Sequence, residues 1–200
     1  MRSSQVLCAI GMAGSASAAA INPRMVCKYI SVRANANFTS STDRLVSHID
    51  PGYFPEPEKR VCYSEEGATP QGLDLRDVNF TAQYLRSYQE QQLKQGGSPF
   101  WKMTLPDADN CGEWQVTSKG HTWVMAKLVG DEPAAVLYSD IAATIDGLGL
   151  KDPSKALLNC STAGGQMGTI VDEENPYYQT QLFDGYTNKG IVIKLVRSPM

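Results

Sequence analysis

Four cysteines after residue 20 constrain the fold of this chain more than any other sequence feature. They are Cys27, Cys62, Cys111 and Cys160, and a fifth, Cys8, precedes them. An even number of cysteines behind an export leader predicts two disulfides. Three pairings are open, and because shorter loops close more readily, Cys27–Cys62 with Cys111–Cys160 is favoured. Zinc is disfavoured, because no pair has the close spacing of zinc ligands and no histidine lies near them.

The leader is residues 1–20, which have the layout of a secretory signal peptide. A short positive start is followed by an apolar run at 6–13 and by small residues at 15–20,. Eight apolar residues are too few for the ~30 Å hydrocarbon core of a membrane, and no other run is long enough. We expect cleavage after Ala18 or Ala20, which would make the protein secreted and extracellular.

Residues 21–72 are predicted to form a strand and then a long loop arm. The strand covers 25–33, where β-branched and aromatic residues alternate with polar ones,. Three prolines in PGYFPEPEKR exclude a helix or a central strand at the end of the arm,. This stretch ends in the basic pair Lys59-Arg60. A kexin-type protease would cut there and make 21–60 a pro-segment; otherwise the pair is two solvated charges.

The strongest helical pattern covers residues 77–95. Asp74 or Asp77 can cap its start, and Gly96-Gly97 end it,. Apolar residues recur every three or four positions and are expected to face the core. They are Phe80, Tyr84, Leu85 and Tyr88.

The rest of the chain is predicted to consist mainly of strands. Residues 113–117 and 121–129 favour a β-hairpin in which Glu113 lies opposite Met125,. Residues 131–147 favour a second helix, with a strand at 134–138 as the alternative. Further strands are predicted at 155–161, 165–171 and 190–197.

Strands that flank two helices without βαβ regularity predict an α+β fold. We expect a mainly antiparallel sheet with two helices, cross-linked by disulfides. Residues 73–200 would form this core and would pack with residues 21–33 as a single domain.

Composition and motifs argue against most catalytic classes. The net charge of −3 lacks the basic field that nucleic-acid binding requires,. The two histidines, His48 and His121, occur without a nucleophile elbow or a metal motif, so we assign no catalytic residue, metal ligand or cofactor,. A ribonuclease-like pair of Glu113 and His121 would be about 13 Å apart in the predicted hairpin. A glycoside hydrolase would draw its two carboxylates from Glu113, Asp140 and Asp146.

Binding is better supported than catalysis by the tryptophans. Trp101, Trp114 and Trp123 lie within 23 residues. In the predicted hairpin, Trp114 and Trp123 face opposite sides of the sheet, so one is expected in the core and the other partly exposed. An exposed ring could stack on a sugar or on a partner protein. Trp114 and Trp123 are therefore the predicted binding residues, the alternative being that all three tryptophans belong to the core.

Three N-glycosylation sequons begin at Asn37, Asn79 and Asn159. In a secreted eukaryotic chain we expect one or two of them to carry a glycan. Asn159 is the weakest candidate, because the next residue is Cys160, which is expected in a disulfide.

In its layout the chain resembles the small secreted proteins of filamentous fungi. It shares with them a signal peptide, a few cysteines, a dibasic pair and the lack of a catalytic signature. The resemblance implies an effector-like glycoprotein with a role in virulence towards a plant host or in competition. Cys111-Gly112-Glu113-Trp114 is similar to the start of some fungal necrosis-inducing effector domains. The cysteine number and the downstream pattern differ from theirs, so no residue role is carried over.

We therefore expect a secreted, non-enzymatic protein that binds a host or cell-surface protein or glycan. The alternatives are a secreted carbohydrate-active enzyme or glycan-binding cell-wall protein, and a toxin released by cutting after Arg60.

Overall fold

The computed structural model describes residues 56–105 and 112–198. This part of the chain contains two α-helices and two antiparallel sheets, which confirms the α+β class. The leader, the predicted strand at 25–33 and most of the arm lie outside the described residues.

Seven strands and two α-helices make up the described body. The strands are β1 (Val61–Cys62), β2 (Phe100–Met103), β3 (Glu113–Lys119), β4 (Thr122–Leu128), β5 (Ala134–Leu137), β6 (Gly165–Gly168) and β7 (Ile191–Arg197). The helices are α1 (Leu75–Lys94) and α2 (Tyr138–Asp146). The larger sheet has the order β1-β6-β7-β4-β3, and β2 pairs with β5 in a separate ladder.

Helix α1 covers one face of the larger sheet, and α2 packs against α1. Strand β4 alternates buried and half-buried residues, because a strand turns successive side chains to opposite faces,. Its buried side, which includes Val124, Ala126 and Leu128, packs with buried residues of α1 and α2 in one core cluster. The bidentate ion pair of Arg86 with Asp146, at 2.7 and 2.8 Å, joins the two helices at the edge of this core.

Helix α1 begins two residues before the predicted range, directly after Asp74, which was one of the two predicted caps. The Asp74 carboxylate accepts a hydrogen bond from the Arg76 backbone N–H at 2.8 Å and so caps the first turn,. The predicted apolar stripe was nevertheless mostly wrong as a core face. The buried residues of α1 are Val78, Thr81, Ala82 and Leu85. Phe80 and Tyr84 are 43% and 44% exposed.

Residues 131–147 are not one helix. Residues 134–137 form β5, which is buried on both faces, and α2 starts directly after it at Tyr138. The strand alternative was therefore correct for the first part of this segment, because pairing with β2 satisfies its backbone groups,. The predicted stop at Gly147 is confirmed, since this residue adopts a left-handed conformation (φ 81°) that favours glycine,.

The β3–β4 hairpin exists, but its predicted register was wrong. Glu113 lies opposite Lys127, not Met125, and Lys119 lies opposite Thr122. The turn is therefore two residues, and the ladder shifts by one residue between positions 115 and 117. Such a bulge changes the register without leaving a clear sequence signal.

The disulfide pairing predicted from loop length was also wrong, because Cys62 is bonded to Cys160. Strand β1 pairs with β6, and the predicted strand at 155–161 is instead a 3₁₀ turn, Leu157–Ala163, that leads into β6. These contacts bring the Cα atoms of Cys62 and Cys160 to within 5.2 Å of each other. The disulfide pairing therefore follows from the strand pairing and not from the length of the loop between the cysteines. Cys27 and Cys111 lie outside the described residues.

Glycine is required beside this disulfide. A Cβ atom on Gly165 would lie 2.8 Å from the Cys160 sulfur and 2.6 Å from the Val61 carbonyl oxygen. The strand pairing and the disulfide therefore occupy the space that a side chain would need.

Candidate functional site

Six aromatic side chains form a chain of ring contacts that starts on α1 and ends on β3, and we call them the aromatic surface. Its members are Phe80, Tyr84 and Tyr88 on α1, Tyr138 at the start of α2, Trp101 on β2 and Trp114 on β3. All six are at least partly exposed. Phe80 and Tyr84 are exposed, whereas the other four are half-buried, and an exposed apolar patch often marks an interaction site,.

The α1 part of the aromatic surface repeats once per helical turn. Phe80, Tyr84 and Tyr88 are four residues apart, which places them one above another on a helix. The first two ring centroids are 6.4 Å apart with planes at 14°, and the next two are 5.9 Å apart at 22°. The three rings are therefore nearly parallel and stacked in succession along α1.

The remaining rings meet edge to face and extend the aromatic surface towards β3. Tyr88 and Tyr138 are 4.9 Å apart, Tyr138 and Trp101 are 6.4 Å apart, and Trp101 and Trp114 are 6.5 Å apart. Burial raises the pKa of Tyr138 to about 12, with a smaller contribution from Tyr88, so its phenol stays neutral,. The Trp101 indole N–H has no hydrogen-bond partner among the described residues.

A charged side chain contacts the aromatic surface at the Phe80 end. The Lys119 ammonium lies 4.5 Å from the centre of the Phe80 ring, in a cation–π contact,. Further along α1, the exposed polar residues include both uncharged and charged side chains. They are Gln83, Ser87, Glu90, Gln91 and Lys94.

Of the two predicted binding residues, one belongs to the aromatic surface. Trp114 lies opposite Ala126 on the helix-covered face of the sheet and is half-buried. Trp123 lies opposite Ser118 on the other face, also half-buried, and is in none of these ring contacts.

Sequence reasoning assigned Phe80, Tyr84 and Tyr88 to the core and so missed them as surface residues. One sequence signal could have distinguished these surface rings from the core residues of the same helix. A second line, Val78–Ala82–Leu85, contains only aliphatic residues and runs along a neighbouring stripe of the same helix. A helix with an aliphatic and an aromatic line has one more apolar face than the core needs.

A second feature is a groove of about 770 Å³ beside the start of α2. Asp140 lies in its lining and is only 5% exposed. The carboxylate accepts hydrogen bonds from the Tyr178 hydroxyl, at 2.6 Å, and from the Asp172 backbone N–H. Burial outweighs these bonds and raises the pKa of Asp140 to about 6,. The Tyr178 oxygen also accepts a hydrogen bond from the Leu137 backbone N–H.

The other acid–base candidates have structural partners. Glu113 forms an ion pair with Lys194 across the sheet, and Asp146 forms its pair with Arg86 between the helices. His121 lies exposed in the hairpin turn, at the opposite end of β3 from Glu113. The structure therefore does not bring Glu113 and His121 together.

The basic pair at 59 and 60 lies on a docked segment. Lys59 is exposed, whereas the Arg60 guanidinium donates to the Ala156 carbonyl at 2.8 Å. Three residues earlier, the Pro57 carbonyl accepts a hydrogen bond from the Gly168 backbone N–H at 2.9 Å. Arg60 is thus an anchor of this segment on the body, and a protease would have to detach it first.

Two of the three sequons lie in the described residues. The Asn79 amide is half-buried in α1 and donates to the Leu75 carbonyl at 2.9 Å. Asn159 is exposed, but its amide donates to the Pro153 carbonyl at 3.0 Å. Asn37 lies outside the described residues, and glycan attachment at all three stays a prediction.

Comparisons with protein-family models, with curated proteins and with solved structures found no match to this chain. Neither helix in the described ranges is long and apolar enough to cross a membrane. In the same ranges, no three His, Cys, Asp or Glu side chains are grouped so that they could hold a metal ion.

Proposed function

We propose that this protein is a secreted, non-enzymatic, effector-like protein that binds a host or cell-surface target through the aromatic surface. The observation that carries the proposal is the exposure of Phe80 and Tyr84, at 43% and 44%, within an unbroken series of rings. Aromatic side chains bring large rigid area to an interface at a low cost in conformational entropy, and they are enriched among residues that dominate binding. The leader supports export, and the Cys62–Cys160 disulfide is typical of oxidising compartments,.

The expected contribution of these rings follows from their exposed fraction. Complete burial of a phenylalanine side chain contributes about 1.5–3 kcal/mol. Since somewhat less than half of Phe80 and of Tyr84 remains exposed, we expect truncation of either to cost about 1 kcal/mol of binding free energy. Loss of both would then weaken binding roughly 30-fold.

The test is binding of the purified protein to isolated plant and fungal cell surfaces, measured as depletion from solution. The informative variant is Phe80→Ser combined with Tyr84→Ser. Leu182→Ser is the matched control, because Leu182 is 45% exposed and lies outside the aromatic surface. On the same scale, loss of the buried part of both rings should cost about 2–3 kcal/mol of stability, so a thermal melt first checks that each variant is folded at the assay temperature.

The proposal predicts that the double variant binds at least tenfold more weakly, while the Leu182→Ser protein binds like the unaltered one. Equal binding by all three proteins, or binding by none of them, would refute it.

A second candidate is a carbohydrate-active enzyme that works in the groove beside α2. A buried carboxyl with a pKa of about 6 is suited to act as a general acid, and exposed carboxylates at 172–174 line the same groove,. This candidate ranks second, because Asp140 is 5% exposed and already accepts two hydrogen bonds. Release of reducing ends from a polysaccharide, abolished by Asp140→Asn, would favour it over binding alone.

A further inference from the structure

We infer that residues 56–60 act as an internal peptide ligand, and that a cut after Arg60 frees a site on β6 for an extended peptide that carries a glutamate side chain. We call residues 56–60 the docked segment. The site lies at the edge of the larger sheet and is independent of the aromatic surface, so either one can fail without the other.

The docked segment lies along β6 as a peptide ligand lies along a sheet edge. Strand β6 pairs with β7 on one side and with the short β1 on the other. Val61 of β1 lies opposite Gln166, and four residues before Val61 the Pro57 carbonyl accepts a hydrogen bond from the Gly168 backbone N–H at 2.9 Å. Main-chain hydrogen bonds do not depend on the side chains of the added strand, so a second peptide can make them.

A formed site on the body receives the Glu56 side chain. Its carboxyl accepts a hydrogen bond from the Gly190 backbone N–H at 2.6 Å. A Cβ atom on Gly168 would lie 2.4 Å from the Glu56 Cγ atom, and its three nearest atoms would all belong to Glu56. Burial raises the pKa of Glu56, and the hydrogen bond from Gly190 and the charge of Lys189 oppose this rise,. The carboxyl is therefore enclosed by the body, in a space that exists because Gly168 has no side chain.

The contacts of the docked segment are ones that a separate peptide could make. Glu56 and Pro57 hold it through the two hydrogen bonds given above, and the Arg60 guanidinium donates to the Ala156 carbonyl at 2.8 Å. The body supplies backbone groups to all three contacts. Residues 58 and 59 between these anchors are exposed.

The chain after Arg60 is held differently from the chain before it. Hydrolysis of the Arg60–Val61 peptide bond by a kexin-type protease consumes one water and leaves a carboxylate on Arg60 and an amine on Val61. Strand β1 then remains attached through the disulfide between Cys62 and Cys160. The docked segment loses its covalent link to β1, so it can leave and expose the edge of β6.

The test uses the full chain with the substitution Cys27→Ser, so that no disulfide at residue 27 can retain the released residues. A kexin-type protease cuts it after Arg60 in urea, at a concentration below the unfolding midpoint. Gel filtration then removes the urea and the released residues. Intact mass verifies the cut, and a thermal melt verifies that the cut protein is folded. The ligand is a synthetic acetylated peptide with the sequence of residues 55–60, PEPEKR.

Binding is followed through the magnetic resonance signals of the Gly168 and Gly190 backbone amides. We expect the peptide to shift both signals in the cut protein. The uncut protein should bind the peptide at least tenfold more weakly, because its own docked segment fills the site.

Matched substitutions test the glutamate site from both sides. Glu56→Ala in the peptide should weaken binding at least tenfold, whereas Glu58→Ala should change it less than threefold, since Glu58 is exposed in the docked segment. Gly168→Ala in the cut protein should also weaken binding at least tenfold, because the added Cβ atom takes the space of the Glu56 side chain.

Equal affinity of the two alanine peptides would overturn the inference, as would equal affinity of the cut and uncut proteins or a folded cut protein that does not bind. Loss of the fold on cutting would overturn it too. The same holds if urea allows the cut only as fast as the whole protein unfolds, because the docked segment would then be part of the folding unit and not a ligand.

Discussion

Replacing Asp140 with asparagine should remove a specific part of the pH dependence of stability. In the folded protein this carboxyl lies 5% exposed beside α2, and burial raises its pKa from 3.8 to about 6. The charged groups and phenols nearest to it are Tyr178, which donates a hydrogen bond, and Asp172, whose negative charge adds to the rise. In the unfolded chain the same carboxyl ionises near its ordinary pKa.

The sign of the effect follows from proton binding. Between about pH 4 and pH 6 the folded protein retains a proton that the unfolded chain has lost, so the free energy of unfolding falls as the pH rises through this window. A pKa change from 3.8 to about 6 corresponds to a loss of about 3 kcal/mol,. Below this window the stabilisation is fully present, and above it the stabilisation is lost.

Urea unfolding of the unaltered protein and of the Asp140→Asn protein, at intervals between about pH 3 and pH 7, measures this effect. The difference between the two unfolding free energies should change by about 3 kcal/mol, because other carboxyls titrate alike in both proteins and cancel. Glu174→Gln removes an exposed negative charge that lines the same groove and serves as the control. A difference between the unaltered and Asp140→Asn proteins that stays constant across the range would refute the reasoning.

Three further predictions concern the body of the protein. A non-reducing peptide map should contain Cys62 joined to Cys160, and any other partner of Cys62 would contradict the pairing of β1 with β6. Reduction of this disulfide should lower the free energy of unfolding by about 2–4 kcal/mol. A kexin-type protease should cut the native protein after Arg60 much more slowly than the urea-treated protein, as intact mass would show; equal rates would mean that the segment is not docked. Arg86→Ala and Asp146→Ala should be coupled by about 2 kcal/mol in a double-mutant cycle, and additive effects would show that their ion pair contributes nothing.

Local signals in the sequence were sufficient for α1 and β7. The Asp74 cap and Gly96-Gly97 bound the helix through contacts within a few residues, and Ile191, Ile193 and Leu195 are buried on one face of β7. Such features depend on the chain's immediate neighbours, so they can be predicted without knowing the tertiary fold.

The face of α1 that meets the sheet could not be predicted in this way. The line through Val78 and Leu85 and the line through Phe80 and Tyr84 both fit a helical period,. The choice between them depends on β4, whose small and aliphatic residues pack with Ala82 and Leu85 in the core. The aromatic line is left partly exposed as a result, and the candidate site therefore became visible only in the folded chain.

Long-range pairing explains the other errors. Residues 134–137 are apolar at every position and fit a helix or a strand equally, until β2 supplies the partner. Cys62 and Cys160 are 98 residues apart in sequence and meet because β1 pairs with β6. Neither partner is encoded in the spacing of the residues themselves.

Oxidative footprinting of the protein while it is bound to a cell surface tests the central claim most directly. Hydroxyl radicals modify exposed aromatic and aliphatic side chains, so a bound target protects those that it covers. We predict that Phe80, Tyr84 and Tyr88 become protected, whereas Trp123 and Leu182 react as in the free protein. Protection of Trp123 or Leu182, with the three α1 rings reacting at their free rates, would contradict the assignment of the aromatic surface as the binding site.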